Sequence, residues 1–324
     1  MKPFPSEILT PDQKKIAVIK HAAQLDTAYM DASGGKKALL HIQRQFQPYY
    51  FMQAPLWRTA IRSFNNKNRV KPDFFSVGAV RSGTTMLADY IMQHPCIVLP
   101  LAKEIGMRDA PISRLLEAQF PTEKESRMIK QKYGTAKTAY CSPVAPSLLF
   151  PLLARNVNAK GKVLLIMRNP IDRAFSHWRW DQVFMKKLKK DKLWKNFPDF
   201  DALIKLEIEA SEQKATTGIT LAGAGCGGYL QHSIYLPFIQ SLHQHFGKQN
   251  VLLIKAEDFF KNPSEVAKTV YQYFELPEYE PQGIPIGNAG PKGTMSEETR
   301  DSLHRFFAPL NAKLYDYIGE DYGW

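Results

Sequence analysis

The residues best suited to chemistry form a glycine-bounded loop between a predicted strand and a predicted helix. The loop reads Gly78-Ala79-Val80-Arg81-Ser82-Gly83-Thr84-Thr85 and follows the apolar run Phe74–Val77. In that context backbone N–H groups point into the loop and the helix N-terminus adds positive potential, an arrangement that binds phosphate. Gly83 permits close approach of a ligand, and the threonines offer hydroxyls. The pattern favours a phosphate-binding loop over an ordinary strand-to-helix turn.

The same loop departs from the pattern of nucleotide kinases. That pattern is G-x-x-x-x-G-K-[ST], and the frame from Gly78 to Gly83 is present. The lysine position holds Thr84, and the cation is Arg81 inside the loop. This argues against Mg-dependent ATP hydrolysis and leaves a P-loop nucleotide kinase or NTPase as the second hypothesis.

A second motif, Arg168–Trp178, follows the predicted strand Val163–Met167. Arg168 comes at the carboxyl end of that strand, where ligands bind in open α/β sheets. Pro170 is suited to the first turn of a helix, and Ser176 lies about two turns further on. Such an arginine alone is usually part of a surface salt bridge. Together with the first loop, Arg168 and Ser176 are predicted to bind a second phosphate.

The two motifs together resemble the PAPS-dependent sulfotransferase family, in the style of its heparan-sulfate-type and bacterial branch. VGAVRSGTTML is similar to the family's 5′-phosphosulfate loop, and MRNPIDRAFSHW to its 3′-phosphate motif. The resemblance extends from about Lys71 to Trp324. It implies a three-layer, P-loop-like α/β fold with a central parallel sheet flanked by helices. It also implies transfer of a sulfuryl group from PAPS (3′-phosphoadenosine 5′-phosphosulfate), with release of PAP and no metal.

The resemblance also assigns a cofactor site. The 5′-phosphosulfate falls to the first loop and the 3′-phosphate to the second motif. Tyr229 is a candidate for stacking on the adenine or the acceptor, although packing in the core is the commoner role of such a residue. The glycine-rich loop Gly287–Gly293 supplies Lys292, which would close over the sulfate. The implied cofactor-binding residues are Arg81, Ser82, Gly83, Thr84, Thr85, Arg168, Ser176, Tyr229, Lys292 and Gly293.

The implied catalytic residues are Glu104, Arg81 and Lys292. The segment around Glu104 is similar to the family stretch KE-x-H-F-F-D, whose glutamate is the catalytic base. Gly106 and Arg108 depart from that stretch, so the wall facing the acceptor must differ. The alternative for Glu104 is an ion pair with a neighbouring cation. Arg81 stands where many members have lysine, and since it stays protonated it would stabilise the leaving phosphate electrostatically.

These residues must be positioned by alternating strands and helices, a pattern that predicts a parallel sheet covered on both faces. The predicted strands are Phe74–Val77, Ile97–Leu99, Val163–Met167 and Val251–Ile254. Residues 1–70 are predicted to be an N-terminal helical extension, and residues 71–324 the sulfotransferase domain.

Composition excludes several classes of protein. The chain has 324 residues, 44% of them hydrophobic and 23% charged, which is ordinary for a globular protein. No apolar run reaches the ~18 residues of a membrane span, and the first residues lack the apolar core of a secretory signal. Three scattered cysteines, Cys96, Cys141 and Cys226, form neither a disulfide framework nor a zinc site. We therefore expect a cytoplasmic protein.

A net charge of +12 indicates anionic ligands or partners. The basic run Lys186–Lys192 is interpreted as a solvated helix face, because no nucleic-acid-binding motif accompanies it. The aromatic segment Tyr49–Trp57 is predicted to pack on the main domain, with docking on a membrane interface as the alternative.

The expected acceptor is a small molecule of secondary metabolism, such as a polar alkaloid or glycoside, sulfated on a hydroxyl or on an amine or carbamoyl nitrogen. The alternatives are a glycan acceptor and an inactive scaffold that binds polyanions. Candidate acceptor-site elements are the N-terminal residues, the 216–228 loop and Cys141. Nothing in the sequence fixes the oligomeric state.

Overall fold

A four-stranded sheet forms the centre of the computed structural model, which describes residues 11–50, 54–105, 113–142, 150–187, 199–212, 228–282 and 294–324. The strand order is β2-β1-β3-β4. The strands are β1 (Phe74–Gly78), β2 (Ala139–Ser142), β3 (Lys162–Met167) and β4 (Val251–Lys255). The sheet is parallel and flanked by helices, which confirms the predicted P-loop-like α/β fold.

The burial of each strand follows from its place in the sheet. β1 is buried throughout, and Val163–Met167 of β3 are fully inaccessible to solvent. Both strands have neighbours on two sides, and apart from Ser76 of β1 their buried residues are apolar. β4 at the edge is only partly buried and pairs with β3 in parallel register, from Val163 opposite Val251 to Met167 opposite Lys255.

The predicted strand Ile97–Leu99 is wrong. Ile97 forms only an isolated bridge with Lys137, and the strand beside β1 is β2 instead. The N–H of Val98 donates to the Lys137 carbonyl at 2.8 Å, after which Pro100 interrupts any ladder because it has no N–H group. The apolar run did predict burial of Ile97 and Val98, which are 1% and 8% exposed, but burial alone does not require a strand.

The described helices begin and end close to their sequence signals. Pro11 and Pro170 each occupy a first helical position, and Thr122 with Glu125 forms a reciprocal N-terminal capping box. The helices are α1 (Pro11–Asp31), α2 (Gly34–Gln45), α3 (Leu56–Ser63), α4 (Thr84–Gln93), α5 (Ser113–Glu117), α6 (Glu123–Tyr133), α7 (Phe150–Val157), α8 (Pro170–Lys187), α9 (Phe200–Glu212), α10 (Leu236–Phe246), α11 (Ala256–Lys261), α12 (Pro263–Tyr273) and α13 (Glu297–Ile318), with 3₁₀ turns at Asn66–Asn68, Gln231–Ser233 and Lys248–Asn250.

The chain divides into two compact units, which are described separately. The first comprises Met1–Phe75, Leu87–Ser142 and Ala267–Ile284. Within it, α1 buries Ile16 and Ile19, and Lys15 donates to the His94 carbonyl at 2.6 Å. The N-terminal helices thus pack with the residues that follow β1.

The second unit comprises Ser76–Met86, Pro143–Val266 and Pro285–Trp324. One of its apolar clusters joins three helices through Ile171, Phe200 and Phe307. This cluster holds α8, which carries the second predicted phosphate motif, against α9 and α13.

Candidate active site

The predicted phosphate loop lies between β1 and α4, and two glycines shape it. A Cβ added at Gly78 would lie 2.3 Å from Thr84 Cγ2, so the strand and the helix start approach too closely for a side chain. Gly83 has φ +89°, and a Cβ there would lie 2.7 Å from Phe260 Cε1. Both glycines that bound the sequence motif are therefore required by the local backbone.

Arg81 brings the two predicted phosphate motifs together. Its Nε donates to Ser176 Oγ at 3.4 Å, and its guanidinium carbon lies 4.7 Å from the centre of the Trp180 ring. Arg168 Nη1 donates to the Arg81 carbonyl at 3.1 Å. Residues separated by almost ninety positions in the sequence thus meet within one unit, as the two motifs predicted.

Several cations converge around Arg81. Burial, followed by the charge of Arg168, lowers the pKa of Arg81 to about 10, and Arg179 and Arg173 act in the same direction. Asp181 is the carboxylate that opposes them. A cluster of mutually repelling guanidinium groups at a phosphate loop is suited to an anion with more than one charge.

Ser82 provides a test of whether a phosphate-bearing cofactor fits here. The residue is completely buried, and its Oγ has no hydrogen-bond partner among the described residues. A buried hydroxyl without a partner is costly, and a phosphate oxygen at the loop would satisfy it. The donors present, guanidinium and hydroxyl groups, therefore fit the 5′-phosphosulfate and 3′-phosphate of PAPS.

The main chain of Arg168 is fixed by its neighbours. The Tyr235 hydroxyl donates to the Arg168 carbonyl at 2.7 Å, and burial raises the pKa of Tyr235 to about 12, so the phenol keeps its proton. The N–H of Asn169 donates to Glu257 Oε1 at 2.8 Å, while Asn169 Oδ1 accepts from the N–H of Ile171 at 3.0 Å. Asn169 therefore caps α8 and sets where this helix begins beside the loop.

Arg173 is a residue of this site whose role the sequence did not reveal. Its side chain is fully buried and donates to Ser233 Oγ at 2.6 Å, to the Val80 carbonyl at 3.3 Å and to the Tyr229 carbonyl. It thereby ties the phosphate loop to the turn at residues 229–233. The only sequence signal was its place within the motif, where an arginine on a helix is usually exposed.

Tyr229, a predicted cofactor contact, is fully buried in the structure. Its hydroxyl donates to Asp181 Oδ2 at 2.8 Å, and its ring makes an edge contact with His177. Burial raises the pKa of Asp181 to about 6. In this structure Tyr229 supports the cation cluster through Asp181, and its stacking role stays a prediction.

Glu104 lies in the first unit, in a segment that pairs with β2 only through an isolated bridge. Its backbone bridges Cys141, and the N–H of Lys103 donates to the Tyr50 carbonyl at 2.9 Å. Lys103 is buried, with Nζ 3.5 Å from Glu104 Oε1, and the glutamate side chain is 26% exposed. Glu104 thus forms the ion pair with Lys103 that was the alternative to a catalytic role. It is nevertheless exposed enough to accept a proton from an acceptor.

Charged and polar groups surround this segment. Burial raises the pKa of Asp89 to about 6, and it raises the pKa of Tyr49 well above its usual value, with the charge of Glu104 adding to both shifts. The other predicted catalytic residue, Lys292, lies outside the described residues with Gly293, as do Gly106 and Arg108.

Comparison with known families decides the class of protein. The family model described as the sulfotransferase domain matches residues 71–284. The chain belongs to the sulfotransferase family. The family predicted from the two phosphate motifs is therefore confirmed.

Two curated relatives are similar over most of the chain. The bifunctional heparan sulfate N-deacetylase/N-sulfotransferase 1 of Caenorhabditis briggsae is 22% identical over 285 residues, covering 76% of this chain and 30% of the relative. The membrane-associated sulfotransferase kil1 of Dictyostelium discoideum is 20% identical, covering 78% of this chain and 66% of the relative. The chain thus spans less than two thirds of either relative.

A solved structure supports the fold. A sulfotransferase from Alicyclobacillus acidocaldarius superimposes with a TM-score of 0.52 at 21% sequence identity, covering 78% of this chain and 97% of that one. At this identity the likeness concerns the fold alone.

None of the described helices combines the length and the apolarity needed to cross a membrane.

Proposed function

We propose that this sulfotransferase moves the sulfuryl group of PAPS to a hydroxyl or to an amine or carbamoyl nitrogen of a small-molecule acceptor. The observation that carries the proposal is the convergence of Arg81, Arg168 and Ser176 beside the buried, unpartnered hydroxyl of Ser82. A single phosphate would need only the loop. A second cationic group contributed by a separate motif is suited to a ligand with two phosphate-type ends.

PAPS supplies an activated sulfuryl group bonded to a phosphate oxygen. In the proposed reaction Glu104 takes the proton of the acceptor hydroxyl as the new S–O bond forms. Arg81 stabilises the electron pair left on the phosphate oxygen when the old S–O bond breaks. Lys292 is proposed to close over the same group. Arg168 and Ser176 hold the 3′-phosphate and so distinguish PAPS from ATP.

The test is thermal stabilisation of the protein by PAP, compared with ADP and Mg-ATP. A ligand at 100 times its Kd stabilises by about 2.7 kcal/mol, which is a shift of several degrees. We expect PAP to stabilise the wild type and the exposed-surface variant Arg155→Ala equally, and Arg168→Ala much less. Greater stabilisation by Mg-ATP than by PAP would instead favour a nucleotide kinase.

A glycan acceptor is the second candidate, and the name of the Caenorhabditis briggsae relative favours it. The net charge of +12 also suits an acidic polysaccharide. Incubation with labelled PAPS and either desulfated heparan or a panel of small alcohols and amines separates the two candidates. Label transferred to the polysaccharide alone would contradict the small-molecule proposal. The cytoplasmic location expected from the sequence stays a proposal.

A further inference from the structure

Helices α2 and α3 expose an unusual number of large apolar side chains. Every residue of α2 is at least partly accessible to solvent, and Thr59 is the one buried residue of α3. Most helices in a folded unit bury their apolar face, and these two instead present it outward. The exposed side chains, named here the apolar patch, are Leu39, Ile42, Phe46, Leu56, Trp57, Ile61 and Phe64.

The patch is continuous across the two helices. Leu39, Ile42 and Phe46 follow helical spacing on α2, and Trp57, Ile61 and Phe64 do so on α3. The two rows join where the ring centres of Phe46 and Trp57 lie 5.9 Å apart. The Trp57 indole N–H donates to Gln45 Oε1 at 2.8 Å, which fixes this junction.

The exposed apolar area is large enough to mark a binding surface. Phe64 is 92% exposed and Phe46 71%. At about 200 Å² for each ring, these two alone leave about 300 Å² of apolar surface in contact with water. Apolar patches larger than a few hundred Å² mark surfaces that bind a membrane or another protein.

The charge of the residues around the patch favours a membrane over a protein as its binding partner. Between residues 34 and 71 the chain carries eight basic residues and no acidic one, namely Lys36, Lys37, Arg44, Arg58, Arg62, Lys67, Arg69 and Lys71. Lys36 and Lys67 are exposed and flank the patch in the sequence. A protein partner with a complementary apolar face would not need this excess of basic residues, whereas the anionic headgroups of a bilayer do favour it.

We propose that α2 and α3 dock on the surface of an anionic lipid bilayer, with the apolar patch at the acyl boundary and the lysines at the headgroups. The protein would then lie on the membrane without crossing it. This inference concerns the first unit alone, so it is independent of the proposed reaction.

The test is co-sedimentation of the full chain with vesicles of phosphatidylcholine, with and without a quarter of phosphatidylglycerol. We expect at least about tenfold tighter binding to the anionic vesicles, weakened by salt. The triple variant Phe46→Ser, Ile61→Ser, Phe64→Ser should bind at least about tenfold more weakly, because each side chain loses its apolar contact. These residues are exposed, so the variant should keep the unfolding midpoint of the wild type.

Two control variants separate the apolar and electrostatic contributions. Met128→Ser removes a 60% exposed apolar side chain on α6, whose first turn is acidic, and should leave vesicle binding unchanged. Lys36→Gln with Lys67→Gln should weaken binding to anionic vesicles about fivefold for each lysine. Equal binding of all variants, equal binding to neutral vesicles, or a wild-type dimer that the triple variant converts to a monomer would each overturn the proposal.

Discussion

Arg81 combines a strained backbone with a repulsive charge environment. Its φ of +71° is in the left-handed region, which costs a non-glycine residue about 1–2 kcal/mol. Its guanidinium is also desolvated beside Arg168 and other cations, which lowers its pKa to about 10. Strain and repulsion at one residue are typical of a functional site, where a bound ligand compensates for both.

Replacing Arg81 by glycine should therefore separate stability from activity. Arg81→Gly relieves the left-handed conformation and removes a repelled charge, so we expect the unfolding midpoint of the ligand-free protein to rise by about 1–3 °C. Sulfuryl transfer should fall by about 10²–10³, since the leaving phosphate loses its cation.

Arg155→Gly is the matched control for this pair of effects. Arg155 is exposed in α7, so glycine there should lower the midpoint and leave turnover intact. A lower midpoint or a normal kcat for Arg81→Gly would contradict the assignment.

Glu104 differs from its neighbour Lys103 in being partly exposed, as a base that meets an acceptor must be. Glu104→Gln keeps the size of the side chain and removes its capacity to accept a proton. We expect kcat to fall by about 10²–10⁴ while the stabilisation by PAP stays unchanged. Glu123→Gln, on the exposed first turn of α6, serves as the control. Loss of PAP stabilisation in Glu104→Gln would show a structural role instead.

At the scale of the element, α8 contributes one face to the site. Arg173, Ser176 and His177, followed by Trp180 and Asp181, recur at helical spacing from the start set by Asn169. His177 stacks on His232 with ring centres 5.5 Å apart. This face buries His177 and Asp181 near Arg81 and Arg173, and so the protonation of these two residues is tied to folding.

The two histidines should make stability depend on pH. Burial, followed by the charge of Arg173, lowers the pKa of His177 to about 2 and that of His232 to about 4. The unfolded chain binds these protons near pH 6.5, so this contribution is fully present above pH 6.5 and is lost as pH falls toward 4. Asp181, with its pKa raised to about 6, acts in the opposite direction between pH 4 and 6 and reduces the net slope.

Urea unfolding at pH 5 and pH 7 measures this effect. Because Asp89 and Asp181 titrate in the opposite direction, the prediction concerns the difference between variants. Acidification should destabilise the wild type relative to His232→Gln, by up to about 1.4 kcal/mol per pH unit. His304→Gln, at an exposed position of α13, should keep the slope of the wild type. An unchanged slope in His232→Gln would mean that His232 is charged in the folded protein.

At the scale of the whole molecule, the residues before β1 are joined to those after it by two partly buried arginines. Arg62 Nε donates to the Ala118 carbonyl at 2.8 Å and its Nη2 to the Phe120 carbonyl at 3.0 Å. Arg69 donates to the same Phe120 carbonyl at 2.8 Å. Both arginines precede the matched family region, residues 71–284, so a chain limited to that region would lack these donors.

A chain that begins at Lys71 should accordingly be unstable. We expect it to aggregate or to unfold at least about 10 °C below the full chain, because the carbonyls of Ala118 and Phe120 lose their donors and α1 no longer covers its apolar neighbours. Thermal unfolding with circular dichroism measures this. A truncated chain with the midpoint of the full chain would instead support a separable helical extension.

The agreement between sequence and structure differs from one element to another. The apolar runs of β3 and β4 predicted strands correctly, because an unbroken apolar run of four or five residues is typical of a strand in a parallel sheet, even at the partly buried edge. The run Ile97–Leu99 predicted a strand wrongly. Ile97 pairs only through a single bridge with Lys137, and Pro100 has no N–H group with which to extend that pairing. Arg173 gave no usable signal, since its burial depends on Ser233 and Tyr229, about sixty residues away.

The sequence by itself determined the two phosphate motifs, the family and the α/β fold. Each of these depends on short-range spacing: glycines that a tight turn requires, and a proline and an asparagine that start a helix. Only the tertiary structure decided that Arg81 meets Ser176, that the Ser82 hydroxyl has no partner among the described residues, and that α2 and α3 expose their apolar faces. These features depend on which side chains from distant parts of the sequence come into contact. Burial and charge repulsion are set by that three-dimensional proximity and not by separation along the chain.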